Sequence, residues 1–242
     1  MPLPLRMMAA LALALGLIGA PVQAATAQSS AKAAAKPVAS GAWGAKVSAS
    51  PIGGHIQGNP AAAHKLIEYM SYTCPHCAHF EMESAIPLRM GPVGGGQLSF
   101  EVRHLLRDPL DVTVAMLTNC VPPVKFFALH HKFLAEQDKW IGIAQKLTEE
   151  QTKRWNEGQM PVRMRAIASD LKFYDMVASA GLTRAQADAC LANDATLRRI
   201  IEQTKEAQTA GIDGTPGFML DGKRMDEHDW AGLQPKLAAA LK

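Results

Sequence analysis

The chain has little net charge, and this limits the classes of partner that it can attract electrostatically. Its 242 residues carry a formal charge of +3 at pH 7. Such a weak field does not attract nucleic acid or anionic lipid, so we expect neither nucleic-acid binding nor strong membrane binding. The sequence also contains no internal repeat, which excludes a solenoid or another repeat architecture.

Long apolar runs are scarce as well. The one pronounced run, Met7 to Ala20, is shorter than the roughly 20 residues that cross a bilayer. It follows Arg6 and precedes small residues at positions 22 and 24. This pattern predicts a secretory signal peptide over residues 1–24, cleaved near Ala24, and an exported, soluble mature chain.

Residues 25–50 lack large apolar side chains apart from Trp43. A segment rich in Ala, Ser, Lys and Pro cannot bury enough surface to offset the entropy of ordering. We therefore predict a flexible leader there. The rest of the chain, close to 200 residues, is long enough for one compact unit with an inserted lobe.

Cysteine is scarce too, with four residues in all. Cys74 and Cys77 are three apart, whereas Cys120 and Cys190 are isolated in the sequence. An even number in an exported chain favours disulfides. If Cys74 and Cys77 cycle with each other, the remaining pair is Cys120 with Cys190. Two buried, unpaired thiols are the alternative.

The pattern around the cysteines predicts an alternation of strands and helices. An apolar strand over Lys65 to Tyr72 leads into a helix that ends near Met90, and Gln97 to Leu105 alternates like a second strand. This order indicates a βαβ unit with parallel strands. Helical spacing then prevails over residues 108–210. After residue 211 the pattern predicts a hairpin turning at Asp221-Gly222 and a final helix capped by Asp226 or Asp229.

The chemistry expected at Cys74-Pro75-His76-Cys77 is thiol-disulfide exchange. At a helix N-terminus the unpaired N–H groups favour an anion, so Cys74 is the predicted nucleophile, exposed and with a lowered pKa. Cys77, deeper in the helix, is the predicted resolving thiol. Pro75 suits the first helical position, and His76 adds a donor or a positive charge near the Cys74 sulfur.

Two other interpretations of the motif remain open. A zinc site could use Cys74, His76, Cys77 and His79, although Cys120 and Cys190 do not supply the second ligand pair that zinc sites have. The Cys74–Cys77 disulfide could also be purely structural. His130 and His131 lie on an aromatic helix with nothing nearby to complete a site, so we predict solvated or packing roles for them.

Together, Cys74-Pro75-His76-Cys77 after a strand and Gly214-Thr215-Pro216-Gly217-Phe218 before a strand resemble the DsbA-like thiol-disulfide oxidoreductases of the thioredoxin superfamily. The resemblance covers about residues 52 to 242. It implies an α/β thioredoxin fold (βαβ–ββα) formed by residues 51–107 and 211–242, with an inserted all-helical lobe over residues 108–210.

The resemblance also implies roles for individual residues. Pro216 matches the cis-proline of the family, and Thr215 would offer backbone groups to an extended substrate peptide. Glu68 occupies the position of a buried acid below the resolving cysteine, where it would relay the proton of Cys77. A Cys120–Cys190 pair resembles an extra disulfide seen in one branch of the family.

The function implied is that of a periplasmic oxidase. The oxidase-type dipeptide Pro75-His76 favours a protein that donates the Cys74–Cys77 disulfide to newly exported, cysteine-containing proteins. We expect a monomer that needs no cofactor besides its redox-active disulfide and is reoxidised by a quinone-linked membrane partner. A disulfide isomerase kept in the reduced form, and a non-redox metal- or peptide-binding module, are the alternatives.

Overall fold

The structure, a computed structural model, describes residues 42–242. The predicted signal peptide and the predicted leader up to residue 41 lie outside the described residues. Within the described part, six strands form one sheet in the order β1-β2-β4-β3-β5-β6. Their bounds are β1 Val47–Ala49, β2 His55–Gly58, β3 His64–Met70, β4 Leu98–His104, β5 Gly217–Leu220 and β6 Lys223–Arg224.

The helices of the described residues fall into three groups along the chain. Helix α1, Pro75–Met90, connects β3 to β4, and α10, Trp230–Ala240, follows β6. The others lie between β4 and β5: α2 Pro109–Thr118, α3 Pro123–Ala135, α4 Gln137–Ala144, α5 Glu149–Asn156, α6 Met160–Asp170, α7 Phe173–Ala178, α8 Arg184–Cys190 and α9 Asp194–Thr209.

The centre of the sheet has the predicted thioredoxin topology. Strands β3 and β4 are parallel, and α1 is their crossover. Strand β5 runs antiparallel to β3 on the other side, and β6 pairs antiparallel with β5. The predicted order of βαβ, helices and ββα is therefore confirmed.

Local sequence signals account for several element boundaries. Asp229 caps α10 by accepting a hydrogen bond from the Gly232 N–H at 2.7 Å, and Thr183 forms a capping box with Gln186 at the start of α8. The turn between β5 and β6 lies at Asp221-Gly222, where both residues have positive φ. These boundaries follow from the capping and turn preferences of the residues present.

The first two strands were not predicted from the sequence. Residues 42–50, assigned to the flexible leader, include β1, which pairs with β2, and β2 extends the sheet beyond β4. The Gly44 carbonyl accepts a hydrogen bond from Gln57 Nε2 at 2.8 Å. The leader prediction was wrong for this part because a short edge strand is held by backbone pairing, which composition does not reveal.

The core lies between the sheet and the helices and extends to the active-site cysteines. Phe80 of α1 packs on Phe218 of β5 with ring centroids 4.7 Å apart. Cys74 and Cys77 belong to the same buried cluster. Within residues 42–242, no helix combines the length and the hydropathy that crossing a bilayer would require.

Candidate active site

Cys74 and Cys77 lie at the junction of β3 and α1. The strand ends at Met70, a short loop follows, and Cys74 is the N-cap residue of the helix, with extended backbone angles (φ −89°, ψ 119°). Pro75 occupies the first helical position, where a missing N–H costs no hydrogen bond. Cys77 lies in the first turn and is fully buried.

The loop before β5 lies against Cys74. The Thr215–Pro216 peptide bond is cis, and the Cys74 thiol donates a hydrogen bond to the Thr215 carbonyl at 3.2 Å. A side chain at Gly217 would collide with Ile212, so only glycine lets β5 begin this close to the preceding loop. The fold thus joins two segments that are 141 residues apart.

The Cys74 sulfur is less accessible than the sequence predicted. Cys74 is 2% exposed, because the Thr215 loop and the start of α1 cover it. The prediction of an exposed sulfur was therefore wrong. Cys74 instead lines a cavity of about 400 Å³ whose walls include His76, Arg107, Asp213 and Thr215, and a client peptide would reach the sulfur from this cavity.

The surroundings of Cys74 favour its thiolate. The pKa of Cys74 is lowered from 9.0 to about 5, chiefly by a hydrogen bond from the Cys77 thiol. Burial opposes this shift, whereas a side-chain hydrogen bond from Thr215 and the backbone N–H groups of Cys77 and His76 add to it. The contribution of His76 to this pKa comes from its backbone, and its side chain is exposed.

Cys77 has the opposite properties. Burial raises the pKa of Cys77 well above its usual range, and the hydrogen bond that its thiol donates to Cys74 and the charge of Glu68 raise it further. At neutral pH the pair is therefore one thiolate and one thiol. This asymmetry is that of a nucleophile and a resolving cysteine.

Glu68 lies on the buried face of β3, where it pairs with Val102 of β4 and Phe218 of β5. It is 2% exposed, between the buried residues Leu66 and Met70. Burial raises its pKa well above 4.5, and the negative charges of Glu81 and Cys74 raise it further. The surroundings of this carboxyl therefore favour its protonated form, and it interacts electrostatically with both cysteines.

Two aspartates that sequence reasoning missed hold the loop before Cys74. Asp111 accepts hydrogen bonds from Ser71 Oγ at 2.7 Å and from the Tyr72 N–H at 2.8 Å. Asp108 accepts from Thr73 Oγ1 at 2.6 Å and caps α2 through the Asp111 N–H. Burial raises the pKa of Asp111 to about 7. Asp108-Pro109 was visible in the sequence only as the start of a helical region.

Gln137, also missed, joins the helical segment to the active site. Its Nε2 donates hydrogen bonds to the Tyr72 carbonyl at 2.7 Å and the Cys74 carbonyl at 2.9 Å. The side chain is 3% exposed. No sequence signal marks it, because the contact spans more than sixty residues of chain and depends on where α4 packs.

His130 and His131 differ in their surroundings. His130 is buried and contacts the Tyr72 hydroxyl through Nδ1 at 3.0 Å, in keeping with a packing role. The half-exposed His131 pairs with the buried Glu81, its Nδ1 lying 3.0 Å from Oε1. Sequence reasoning missed Glu81, although its spacing of four from Cys77 places both residues on one helix face.

A disulfide joins Cys120 and Cys190 in the helical segment between β4 and β5. It connects the residues after α2 to the end of α8. For the zinc interpretation, among residues 42–242 no group of three or more His, Cys, Asp or Glu side chains is arranged to hold a metal ion.

Comparison with known proteins adds three findings. A family model described as thioredoxin matches residues 50–238. The crystal structure of a protein-disulfide isomerase from Novosphingobium aromaticivorans is 48% identical, covers 78% of this chain and 97% of its own, and superimposes with a TM-score of 0.74. Wolbachia pipientis alpha-DsbA1 is 21% identical, covers 77% and 89% of the two chains, and has a TM-score of 0.57, which shows a common fold.

Curated relatives are more distant. A Rickettsia bellii protein, provisionally named a protein-disulfide oxidoreductase, is 23% identical over 189 residues, which are 77% of this chain and 64% of that protein. The chain thus spans less than two thirds of the length of the curated relative. On the match over residues 50–238 and the 48% identity to a solved relative, the chain belongs to the thioredoxin family and has its DsbA-like fold.

Proposed function

We propose that this protein is a thiol-disulfide oxidoreductase that donates the Cys74–Cys77 disulfide to exported proteins. The observation that carries the proposal is the opposite shift of two neighbouring pKa values. Cys74 has a pKa lowered to about 5, and that of Cys77 is raised by burial. A thiolate beside a buried thiol, with a cis-proline loop against the nucleophile, is the arrangement that disulfide exchange requires.

The first step opens the disulfide. A client thiolate attacks Cys74 Sγ, the Cys74–Cys77 bond breaks, and Cys77 leaves with the electron pair. Because Cys77 is buried and its pKa is raised, the leaving sulfur must take up a proton. Glu68, whose raised pKa favours the protonated carboxyl, is the donor we assign.

The second step releases the client. A second client thiolate attacks the client sulfur of the mixed disulfide, and Cys74 leaves as a thiolate, which its lowered pKa favours. Two client thiols are thereby oxidised to a disulfide, and Cys74 and Cys77 are reduced by two electrons. A membrane partner that accepts these electrons would restore the disulfide, as the resemblance to DsbA-like proteins implies.

We assign client binding to the loop that contains Thr215 and Pro216. In this loop the Thr215 carbonyl oxygen lies 3.2 Å from Cys74 Sγ. An extended peptide can pair with such backbone groups while its cysteine faces Cys74. The side chains of Arg107 and Asp213 at the cavity would flank the client on either side of its cysteine.

The lowered pKa of Cys74 supports the oxidising direction of the reaction. A nucleophile with a pKa of about 5 stabilises the reduced protein at pH 7 by about 2.7 kcal/mol relative to one that is still protonated, equivalent to about 60 mV. This is a little under half of the roughly 150 mV that separate thioredoxin from DsbA. The shift therefore favours an oxidant.

A disulfide isomerase is the second candidate, because the 48% identical relative from Novosphingobium aromaticivorans bears that name. Ribonuclease assays separate the candidates, and the redox potential tests both of them against a thioredoxin-like reductase. We expect redox equilibration with glutathione to give a potential closer to about −120 mV than to about −270 mV. We also expect strong oxidation of reduced ribonuclease and weak reshuffling of scrambled ribonuclease. The reverse pattern would assign the protein as an isomerase.

We further propose that the protein acts in the periplasm as a monomer. The proposed location rests on the signal-peptide pattern of residues 1–24. Cell fractionation with amino-terminal sequencing tests it, with a mature start near Ala25 expected. Light scattering on the purified protein would reveal a dimer or a larger oligomer.

A further inference from the structure

Glu81 is a buried carboxylate on the same helix face as the resolving cysteine. It lies four residues after Cys77 on α1, one turn further along the helix. It is 5% exposed. Burying a carboxylate is costly unless it is paired, so the partners of the Glu81 side chain decide whether it is ionised.

The carboxylate of Glu81 points towards two histidines of α3. Oε1 lies 3.0 Å from Nδ1 of His131, and Oε2 lies 3.6 Å from Nε2 of His130. The His130 side chain is 1% exposed, whereas that of His131 is 51% exposed. His131 therefore connects a buried carboxylate to solvent.

The pKa values of the two buried glutamates shift in opposite directions. Burial tends to raise the pKa of Glu81, but its contacts with His130 and His131 outweigh burial and leave the pKa below its usual value. The pKa of Glu68 is raised by burial and then by the charge of Glu81. Two carboxyls of different proton affinity thus interact, an arrangement suited to proton transfer.

Cys77 needs a route for its proton that does not pass through the client. Cys77 and Glu68 are 0% and 2% exposed. The cavity at Cys74 is where a client lies during the mixed-disulfide stage. We propose that Glu81 and His131 form the solvent end of a proton pathway that connects Cys77, through Glu68, to bulk water. This inference rests on the proposed function, because only disulfide exchange moves a proton at Cys77.

The pathway operates when a mixed disulfide on Cys74 is resolved. Glu68 gives its proton towards Glu81, and His131 passes a proton to water, so that Glu68 can accept the proton of Cys77. The Cys77 sulfur then attacks Cys74 Sγ, the Cys74–Cys77 bond forms, and the client sulfur leaves with the electron pair. Client oxidation reverses the direction, and one proton enters.

Other ionisable groups surround the relay. The Tyr72 hydroxyl lies against His130, and the Tyr72 pKa is raised chiefly by burial, with the charges of Asp111, Glu81 and Glu68 adding. Arg89 of α1 acts on His131 and lowers its pKa, but the hydrogen bond with Glu81 outweighs this effect and raises it. The contact therefore favours a protonated His131 beside an ionised Glu81.

A kinetic experiment can separate the relay from the nucleophile. Reduced full-length protein is mixed with excess oxidised glutathione, quenched with acid at intervals and weighed by mass spectrometry. The first phase forms the Cys74–glutathione disulfide. The second phase releases it through attack by Cys77. The first phase reports the proposed function, and the second reports the proton pathway.

We expect Glu81→Gln and His131→Ala to slow the second phase at least about tenfold near pH 7, with the mixed disulfide accumulating. The first phase should be unchanged in both. Added imidazole should restore the second phase in His131→Ala, because that site is half-exposed. A purely structural role would not respond to imidazole.

His79→Ala is the matched control. His79 pairs with Glu83 at 3.2 Å on the exposed side of the same helix, and its loss should leave both phases unchanged. Wild-type second-phase rates and pH profiles in Glu81→Gln and His131→Ala would overturn the inference, as would equal slowing in His79→Ala. Should Glu81→Gln fail to fold, His131→Ala with and without imidazole decides. A wild-type protein without a first phase would overturn the proposed function instead.

Discussion

A hydrogen bond from Cys77 is the largest cause of the lowered pKa of Cys74, whereas burial is the largest cause of the raised pKa of Cys77. The Cys77 thiol donates to Cys74, which lowers the pKa of the acceptor and raises that of the donor. The helix N-terminus adds backbone N–H groups on the same side. The sequence motif predicts the contribution of the backbone N–H groups, whereas the hydrogen bond from the Cys77 thiol depends on how deeply Cys77 is buried.

Replacing Cys77 by Ala removes that donor. We expect the pKa of Cys74 to rise by about one to two units, because a hydrogen bond to a charged group contributes about 1.5–3 kcal/mol. Ultraviolet absorbance of the thiolate as a function of pH measures the shift. Cys77→Ser, which keeps a donor, should shift the pKa less. An unchanged Cys74 pKa in the alanine variant would show that the backbone groups alone stabilise the thiolate.

The buried Glu68 should lower the free energy of unfolding at neutral pH. Its pKa lies well above 4.5 in the folded state, so above pH 4.5 the unfolded chain releases a proton that the folded chain keeps. Stability attributable to this group therefore falls as pH rises through that range. The cost is absent below pH 4.5, where both states are protonated.

Glu68→Gln should accordingly raise the free energy of unfolding of the reduced protein at neutral pH and leave it unchanged near pH 4. Urea unfolding at both pH values measures the difference. Glu157→Gln, at an exposed position, is the control and should change stability at neither pH. A variant that is less stable at neutral pH would contradict a protonated, buried carboxyl.

At the scale of elements, side chains that cross between segments hold the active-site loop. Asp108 and Asp111 at the start of α2 bind the residues after β3. Gln137 at the start of α4 binds the carbonyls of Tyr72 and Cys74. The helices between β4 and β5 thus do more than cover the sheet, since they fix the backbone that carries the nucleophile.

Removing the Gln137 amide tests this support. Gln137→Ala leaves two buried carbonyls without that donor, so we expect the free energy of unfolding to fall by about 2 kcal/mol or more. Gln145→Ala, at an exposed position at the end of α4, should cost less than about 0.5 kcal/mol. Equal effects of the two substitutions in urea unfolding would show that the amide does not support the loop.

Helix and strand boundaries were predictable where local chemistry decides them. The βαβ order, the capping box at Thr183 and the cap at Asp229 follow from periodicity and capping preferences. Strands β1 and β2 were not predictable, because three or four residues at a sheet edge carry too short a pattern. β1 pairs with β2 and β2 pairs with β4, and the second of these pairings is a long-range property.

At the scale of the whole molecule, the Cys120–Cys190 disulfide closes a loop within the helical segment, with a sequence separation of 70 residues. In the chain-entropy model, a loop of this size stabilises the folded state by about 4 kcal/mol. The disulfide is not among the leading causes of the Cys74 pKa. Its expected role is stability.

The double substitution Cys120→Ser and Cys190→Ser should lower the free energy of unfolding by up to about 4 kcal/mol. The thiolate titration of Cys74 should not change. Urea unfolding and ultraviolet titration of the same preparation measure both quantities. A shifted Cys74 titration would assign this disulfide a part in tuning the active site.

The sequence by itself determined the chemistry and the family of this protein. Cys74-Pro75-His76-Cys77 at a helix start predicts a nucleophilic thiol, because the orphan N–H groups of a first turn are a local property. Thr215-Pro216 before a strand completed the resemblance. Both signals lie within a few neighbouring residues, which is why they can be recognised without a structure.

Only the tertiary structure decided the surroundings of that chemistry. It buried Cys74, brought Thr215 to its sulfur, and placed Gln137 on its carbonyl. It also connected Glu81 to solvent through His131. Burial and charge act through space, so pKa values and proton routes depend on residues that are distant in the chain. No local pattern contains that information.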